Sequence, residues 1–255
     1  MAAAYDNYDY PSYWIGREYE HESEIIALRN FLQKIPKINR ILEIGCGFGR
    51  LTPYYRFRAR RIVLTDPSAK LLSLARKRLV SSKKSKNHVT FVQTSAESLS
   101  KKFKKESFDL VIMVRVAHHL QDLDQAFLTI KRLLPRGGYL IFEFPNKLHL
   151  KAVILNTIKG NFTFPLDILP ADKRSRKSLR NNCLPFFNYH PEIIYYKLKS
   201  YGFKLVEKRS VSNIRMPFIK KHLSLESILT LEKILQKPLG KVNFGPSIFL
   251  LMKKI

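Results

Sequence analysis

Apolar positions along the chain fall into short unbroken runs separated by stretches of helical period. Ile25, Ile26, Leu28, Leu32 and Ile35 recur three and four residues apart, which predicts an amphipathic helix that stops at Pro36. Arg40–Ile44 predicts a short buried strand. It leads into a glycine-rich turn, Gly45-Cys46-Gly47-Phe48-Gly49, and a helix expected to reach about Arg58. Arg61–Thr65 predicts a second strand, closed by Asp66-Pro67. Pro67 suits the first turn of the next helix, which carries Leu71, Leu72, Ala75 and Leu79 inward to about Val80. Ser81–Lys86 reads as a solvated loop. Further strands are predicted at His88–Gln93, Phe108–Val114 and Tyr139–Phe144. Between them lie a charged turn at Lys101–Glu106 and a helix from Asp122 to Leu134, stopped by Pro135 and Gly137-Gly138. Apolar strands alternating with helices predict the α/β class, a doubly wound parallel sheet buried on both faces.

The second half is less regular. Residues 145–189 hold four prolines and the basic run Lys173–Arg180, and read as an insertion with a short helix near Leu150–Ile158. His190-Pro191 opens a helix to about Ser200, ended by Gly202, and Phe203–Val211 predicts a sixth strand. Residues 212–240 form a second insertion with a helix near Leu223–Leu235, and Ser247–Met252 closes the sheet. The organisation expected is one domain over 1–255, with an N-terminal helical cap at 1–37 and the two insertions.

Composition narrows the class. In 255 residues, 45% are apolar, with 17 Phe and 12 Tyr, enough for a large core and against disorder. Two cysteines cannot build a disulfide framework, and no Cys/His cluster has zinc spacing, so a reducing, cytoplasmic setting and no metal are expected. The first residues lack the layout of a signal peptide, and no run of apolar residues is long enough for a membrane span. The net charge is +26, from 46 basic and 20 acidic residues. Residues 1–24 are acidic, with one basic against six acidic, and the surplus is spread evenly over the rest. A dedicated nucleic-acid module concentrates such charge on one face, so RNA is the weaker expectation, and a generally cationic surface the stronger.

The glycine-rich turn carries the chemistry. Glycines after a strand let the backbone approach a ligand without a Cβ in the way, and the spacing here is G-x-G-x-G. Arg50 stands where a dinucleotide fingerprint has its third glycine, which argues against a nicotinamide or flavin. Asp66 ends the second strand, 21 residues after Gly45, and a carboxylate there can accept hydrogen bonds from both hydroxyls of a ribose. The plainer alternative is a tight turn with Asp66 as a helix cap.

With these residues the chain resembles the class I S-adenosylmethionine-dependent methyltransferases of the small-molecule type. The resemblance rests on ILEIGCGFG, VLTDPS, FVQTSAESL, FDLVIMVRVAHHL and LLPRGGYLIFEFPN, in that order from about Ile38 to Phe144. It implies a seven-stranded sheet of order 3-2-1-4-5-7-6 with the last strand antiparallel, and S-adenosylmethionine as cofactor. It further implies that Gly45, Cys46 and Gly47 line the methionine side and that Glu43 orders the loop. Asp66 holds the ribose, and Pro67 and Ser68 lie at the adenine edge. Ser95, Ala96 and Glu97 match the third motif, with Ser95 where the family often has Asp, and Arg115 runs beneath the methionine. Arg17, set among aromatics in Trp14-Ile15-Gly16-Arg17, corresponds to an arginine that clamps the cofactor carboxylate in related enzymes. Its alternative is an ion pair with Glu20 or Glu24.

The implied reaction moves a methyl group to a small or medium-sized acceptor, with oxygen favoured, such as a sugar, phenol or lipid-linked hydroxyl. An RNA methyltransferase and a non-catalytic S-adenosylmethionine-binding protein are the rival readings. A hydroxyl acceptor must lose a proton, and histidine is the natural base near neutral pH. The candidates are His118, His119 and His190, each of which has a packing or capping alternative. Tyr13, Trp14 and Tyr19 are expected either to cover the cofactor or to staple the first helix to the sheet. Phe162, Phe164, Phe186 and Phe187 are expected either to face the acceptor or to form a satellite core.

Overall fold

The apolar runs pair into one sheet in a computed structural model that describes residues 6, 9–80, 88–180 and 183–255. The loop expected at Ser81–Lys86 and the first five residues lie outside the described residues. In chain order the elements are α1 (Glu18–Gln33), β1 (Arg40–Ile44), β2 (Arg61–Asp66), α2 (Ala69–Val80), β3 (His88–Gln93), α3 (Leu99–Lys102), β4 (Leu110–Met113), α4 (Leu123–Leu133) and β5 (Tyr139–Pro145). There follow α5 (Leu150–Ile158), β6 (Ala171–Asp172), α6 (Arg176–Arg180), β7 (Phe187–Asn188), α7 (Pro191–Ser200), β8 (Phe203–Val211), α8 (Pro217–His222), α9 (Leu225–Lys241) and β9 (Ser247–Lys254).

The sheet order is β3-β2-β1-β4-β5-β9-β8, with β1 to β5 parallel and β9 antiparallel to both β5 and β8. Since β6 and β7 form a separate two-stranded ribbon, this is the seven-strand order expected, with the last strand antiparallel. Alternate residues of each strand serve opposite faces. Leu42, Val111, Phe142 and Leu250 pack on α4 and α7 through Phe127, Ile130, Ile194 and Leu198. Ile41, Ile62, Ile112, Ile141 and Phe249 pack on α1 and α2 through Leu28, Phe31, Leu72 and Leu79. Both faces are dry, so the loops at the carboxyl ends of β1, β2 and β4 are the part of the sheet open to a ligand.

Some expectations do not hold. The helix expected to run to Arg58 is replaced by two 3-10 turns, Thr52–Tyr54 and Arg56–Arg58. Thr52 and Tyr55 both turn their hydroxyls onto the buried Glu43, and Pro53 lies in the first turn, so the chain folds around that carboxylate. The charged turn at 101–106 starts inside α3. The late helix begins at the Ser224 cap and runs to Lys241, through Pro238. Its far end lies against β8, where a Cβ on Gly240 would come within 2.8 Å of the Lys208 carbonyl. The ribbon of β6 and β7 has no counterpart in the sequence pattern, because two-residue strands carry no alternation to detect.

Candidate functional site

Gly45 and Gly47 follow β1 with φ of +67° and +55°, backbone that L side chains rarely adopt. A Cβ on Gly45 would lie 2.3 Å from Val116 Cγ2, so the loop after β4 closes directly over this residue. The Cys46 N–H donates to the Thr65 carbonyl at 2.9 Å and ties the turn to β2. Asp66, at the end of β2, accepts from the Gly47 N–H at 2.8 Å and from the Ser68 N–H at 2.9 Å. One carboxylate therefore fixes both the glycine turn and the start of α2. Glu43 orders the turn from below by accepting from the Thr52 and Tyr55 hydroxyls, and burial pushes its carboxyl up to about 7.

A cavity of about 260 Å³ opens at this turn. Gly45, Gly47, Asp66 and Pro67 form one wall, and Ser95, Ala96 and Glu97 line it alongside Thr94 and Leu71. Arg115, Val116, His119 and Leu120 from the loop after β4 line it too, as do Tyr10 and Leu184. Most of the cofactor-side residues named from the sequence thus meet at one cavity. Four do not line it: Arg17, which lies at the N-terminal segment, and three at or beside the turn. The Cys46 side chain is in the core beneath the sheet, and burial raises its thiol well above the ordinary value. Glu43 lies under the turn. Ser68 is fully buried, bonded to Asp6 at 2.6 Å. Sequence reasoning missed Tyr10, Val116, Leu120 and Leu184, none of which stands out by type or spacing.

Arg17 does not line this cavity. Its guanidinium lies 4.2 Å from the Tyr13 ring centre and borders a second cavity of about 60 Å³, which Arg115 and Glu143 also line. The ion-pair alternative is not what forms, because Glu20 pairs with Lys220, and Glu24 is taken by Arg50 and Arg115. Glu24 is fully buried on α1 between those two arginines. Burial alone would raise its carboxyl, but Arg115 and Arg50 outweigh burial and hold it below the ordinary value. The Trp14 indole covers this triad, with the Arg50 guanidinium 3.6 Å from its centre. Arg115 has φ of +61°, and its N–H donates to the buried Glu143 at 2.7 Å, so the residue at the end of β4 is held by its backbone and its side chain at once.

Tyr10, Tyr13 and Trp14 of the N-terminal segment cluster beside these arginines. The Tyr10 ring stacks on Tyr13 and meets Trp14 and Phe48 edge-on, and a Cβ on Gly47 would come within 3.3 Å of it. Tyr19 instead staples the fold: its hydroxyl donates to Glu232 and accepts from the Ile214 N–H.

Of the three histidines, only His119 lines the cavity. Its Nδ1 donates to the Pro185 carbonyl at 2.8 Å, which makes Nε2 the basic nitrogen. Burial lowers its pKa, against the opposing effect of that bond, and keeps the ring neutral near pH 7. His118 is buried between His119 and Phe186, with ring centres at 3.9 and 4.6 Å. His190 caps α7 outside the cavity, and its Nε2 donates to the Pro165 carbonyl at 3.1 Å. The phenylalanines divide likewise: Phe164 is buried, Phe162 is exposed, Phe186 covers the histidine pair and Phe187 packs on the core.

Residues 42–142 match the family model described as a methyltransferase domain. The tRNA 5-carboxymethoxyuridine methyltransferase of Escherichia coli is 24% identical over 200 residues, 77% of this chain and 73% of that protein. The ubiquinone biosynthesis O-methyltransferase of Rhizobium etli is 31% identical over 116 residues, 46% of this chain and 44% of that one. This chain spans about half or less of the length of several curated relatives, from 40% to 52%. Among solved structures, an S-adenosylmethionine-dependent methyltransferase of Thermotoga maritima, a possible histamine N-methyltransferase, superposes over 99% of both chains with a TM-score of 0.62 at 19% identity. S-adenosylmethionine is the cofactor these comparisons imply, and the cavity fits it. Asp66 spends one lone pair of each oxygen on backbone N–H groups, which leaves acceptor capacity for two ribose hydroxyls. The glycine turn gives close approach, and Ser95 to Glu97 line the same cavity.

Proposed function

Residues 42–142 belong to the methyltransferase-domain family, within a sheet of the class I order, and on that premise we propose that the chain methylates an oxygen atom of a small or medium-sized acceptor. Bound S-adenosylmethionine supplies an activated methyl group on a sulfonium. The chain's own work is then to hold, align and dry the reactants, which can contribute on the order of 7–11 kcal/mol. In this reading Asp66 anchors the ribose, and Ser95, Ala96 and Glu97 face the adenine. The Glu24–Arg50–Arg115 triad fixes the wall at the methionine end, and Tyr10 covers the turn. His119 accepts the proton of the acceptor hydroxyl through Nε2.

The observation that carries the proposal is a single cavity bordered both by Asp66 with its glycine turn and by a neutral histidine of defined tautomer. Similarity to an O-methyltransferase of ubiquinone biosynthesis adds support for oxygen. The positive charge and the tRNA-modifying relative favour RNA as the second reading. With S-adenosylmethionine labelled in its methyl group and extracts split into RNA, lipid, glycan and small-molecule fractions, label is expected in base-resistant O-methyl products of the lipid or small-molecule fractions. Label confined to RNA establishes the second reading. Calorimetric binding of S-adenosylhomocysteine with no transfer to any fraction establishes a binding protein without activity.

A further inference from the structure

The segment between β5 and α7 exposes large apolar side chains along most of its length. On α5, Leu150, Ile154 and Ile158 share one face at four-residue spacing, with Leu155 beside them, and all are exposed. The loop that follows continues the pattern: Phe162 is 73% exposed, Leu166 77%, Ile168 53% and Leu169 68%. This loop is pinned from beneath. Lys147, itself 2% exposed, donates to the Asp167 and Leu169 carbonyls at 2.6 and 2.7 Å and pairs with the Asp167 carboxylate. Its ammonium also lies 5.6 Å from the ring centre of the buried Phe164, and His190 holds the Pro165 carbonyl. A buried cation and a buried aromatic thus fix a loop whose remaining apolar side chains point to solvent. An apolar exposure of this extent marks an interaction surface.

Its surroundings are cationic. Besides the buried Lys147, residues 145–189 contain seven basic and two acidic side chains. Residues 212–225, which include the exposed Met216 and Phe218, contain three basic and no acidic ones. Both stretches act electrostatically on the start of α5, where burial and the charges of Lys173, Arg215 and Lys151 depress the pKa of His149. The same insertion returns to the catalytic side. Leu184 lines the cavity, Pro185 holds His119, and the Tyr189 hydroxyl donates to the Ala117 carbonyl at 3.1 Å.

We propose that this insertion docks the protein peripherally on an anionic lipid bilayer, with Ile158, Phe162, Leu166 and Leu169 entering the headgroup region and the flanking lysines and arginines meeting lipid phosphates. Exposed apolar side chains in a stretch of net positive charge are what such a surface selects. Among the described residues no helix is long and apolar enough to cross a membrane, so the association is interfacial. The insertion that carries this face also supplies Leu184 to the cavity wall and Pro185 to His119, so it links the docking surface to the site along the chain. The docking itself does not depend on the proposed chemistry.

The test uses the full chain and needs no methyl transfer. Co-sedimentation is measured with vesicles of phosphatidylcholine alone and with 30% phosphatidylglycerol, at 0.15 M and 0.5 M salt. Binding is expected to the anionic vesicles, weaker at high salt and weak on the zwitterionic ones. The combined variant I158S/F162S/L166S/L169S, at exposed positions only, should lower partitioning on the order of 100-fold, with unchanged melting temperature and S-adenosylhomocysteine affinity. Should that variant fail to fold, Ile158→Glu alone is expected to give at least a tenfold loss. Three outcomes overturn the proposal: no binding to anionic vesicles, binding untouched by the apolar substitutions, or a dimer in sedimentation velocity that the same substitutions abolish while vesicles remain unbound.

Discussion

Replacing Asp66 by alanine separates the two duties of this carboxylate. Its oxygens accept from two backbone N–H groups, Gly47 at 2.8 Å and Ser68 at 2.9 Å, in a residue only 5% exposed. Leaving two such donors unmade costs about 1–3 kcal/mol each, the lower end where cavity water reaches them. Burial, however, raises the Asp66 pKa against the two N–H groups. A raised carboxyl contributes stability that is full below its unfolded pKa and is lost as pH rises through the folded value, so the charged form is a net cost at neutral pH. Removing it returns part of the loss, and a net destabilisation of about 1–3 kcal/mol is expected. Against a typical 5–15 kcal/mol for a domain, the variant stays folded. Ligand affinity should suffer more, because ribose hydroxyls lose a charged acceptor at about 1.5–3 kcal/mol per bond. Calorimetry with S-adenosylhomocysteine should show at least a tenfold weaker Kd, with urea unfolding still cooperative. Asp66→Asn, which keeps one acceptor oxygen, should fall between wild type and alanine in both readouts. The wild-type affinity should also decline on acidification from a higher pH than an ordinary aspartate would give. A folded Asp66→Ala chain that binds within twofold of wild type refutes the assignment.

Three other outcomes follow from the same geometry. Glu24→Gln leaves the buried Arg50 and the cavity-lining Arg115 facing each other without their carboxylate, and should cost about 3–5 kcal/mol in chemical denaturation. Because the folded pKa of Glu24 is depressed, its contribution is present above the ordinary glutamate range and fades as pH falls through the lower folded value; equal destabilisation by the variant at pH 7 and pH 2 contradicts this. His119→Ala should lower turnover about 10²–10⁴-fold without weakening S-adenosylhomocysteine. The lowered pKa of His119 places the acid limb of the wild-type rate below pH 6.5, and an unaltered rate in the variant removes His119 from the chemistry. Trp14 is the only tryptophan and touches both Tyr10 and the arginines of the triad, so its emission should shift or quench when S-adenosylhomocysteine enters. Identical spectra with and without saturating ligand mean that the N-terminal segment does not sense the cavity.

Local pattern alone located the strands, while their order across the sheet was implied by the family resemblance. Strands such as Arg40–Ile44, His88–Gln93 and Phe203–Val211 need only an apolar run of the right length between turn residues, and that information is contiguous in the chain. Gly45, Gly47 and Asp66 were legible for a similar reason: a turn that demands positive φ and a carboxylate one strand later are set by short-range geometry. What tertiary structure decided is everything that depends on distant side chains meeting. Glu24 and Arg50 look like ordinary charges on paper, and join Arg115 in a triad around a buried carboxylate only when α1 packs beside the glycine turn and the loop after β4. The stretch from Thr52 to Arg58 reads as helix, yet folds as 3-10 turns because Glu43, on another element, draws in two hydroxyls. Three histidines look equivalent as proton acceptors, and only packing separates them: His118 is sealed under Phe186, His190 holds a distant carbonyl, and His119 alone reaches the cavity wall. Arg17 shows the same limit, since nothing in its neighbourhood along the chain says that its guanidinium will lie over Tyr13 rather than pair with Glu20 or Glu24. Periodicity fixes which face of an element is buried, but not which partner waits there, because that choice is made by packing between segments far apart in sequence.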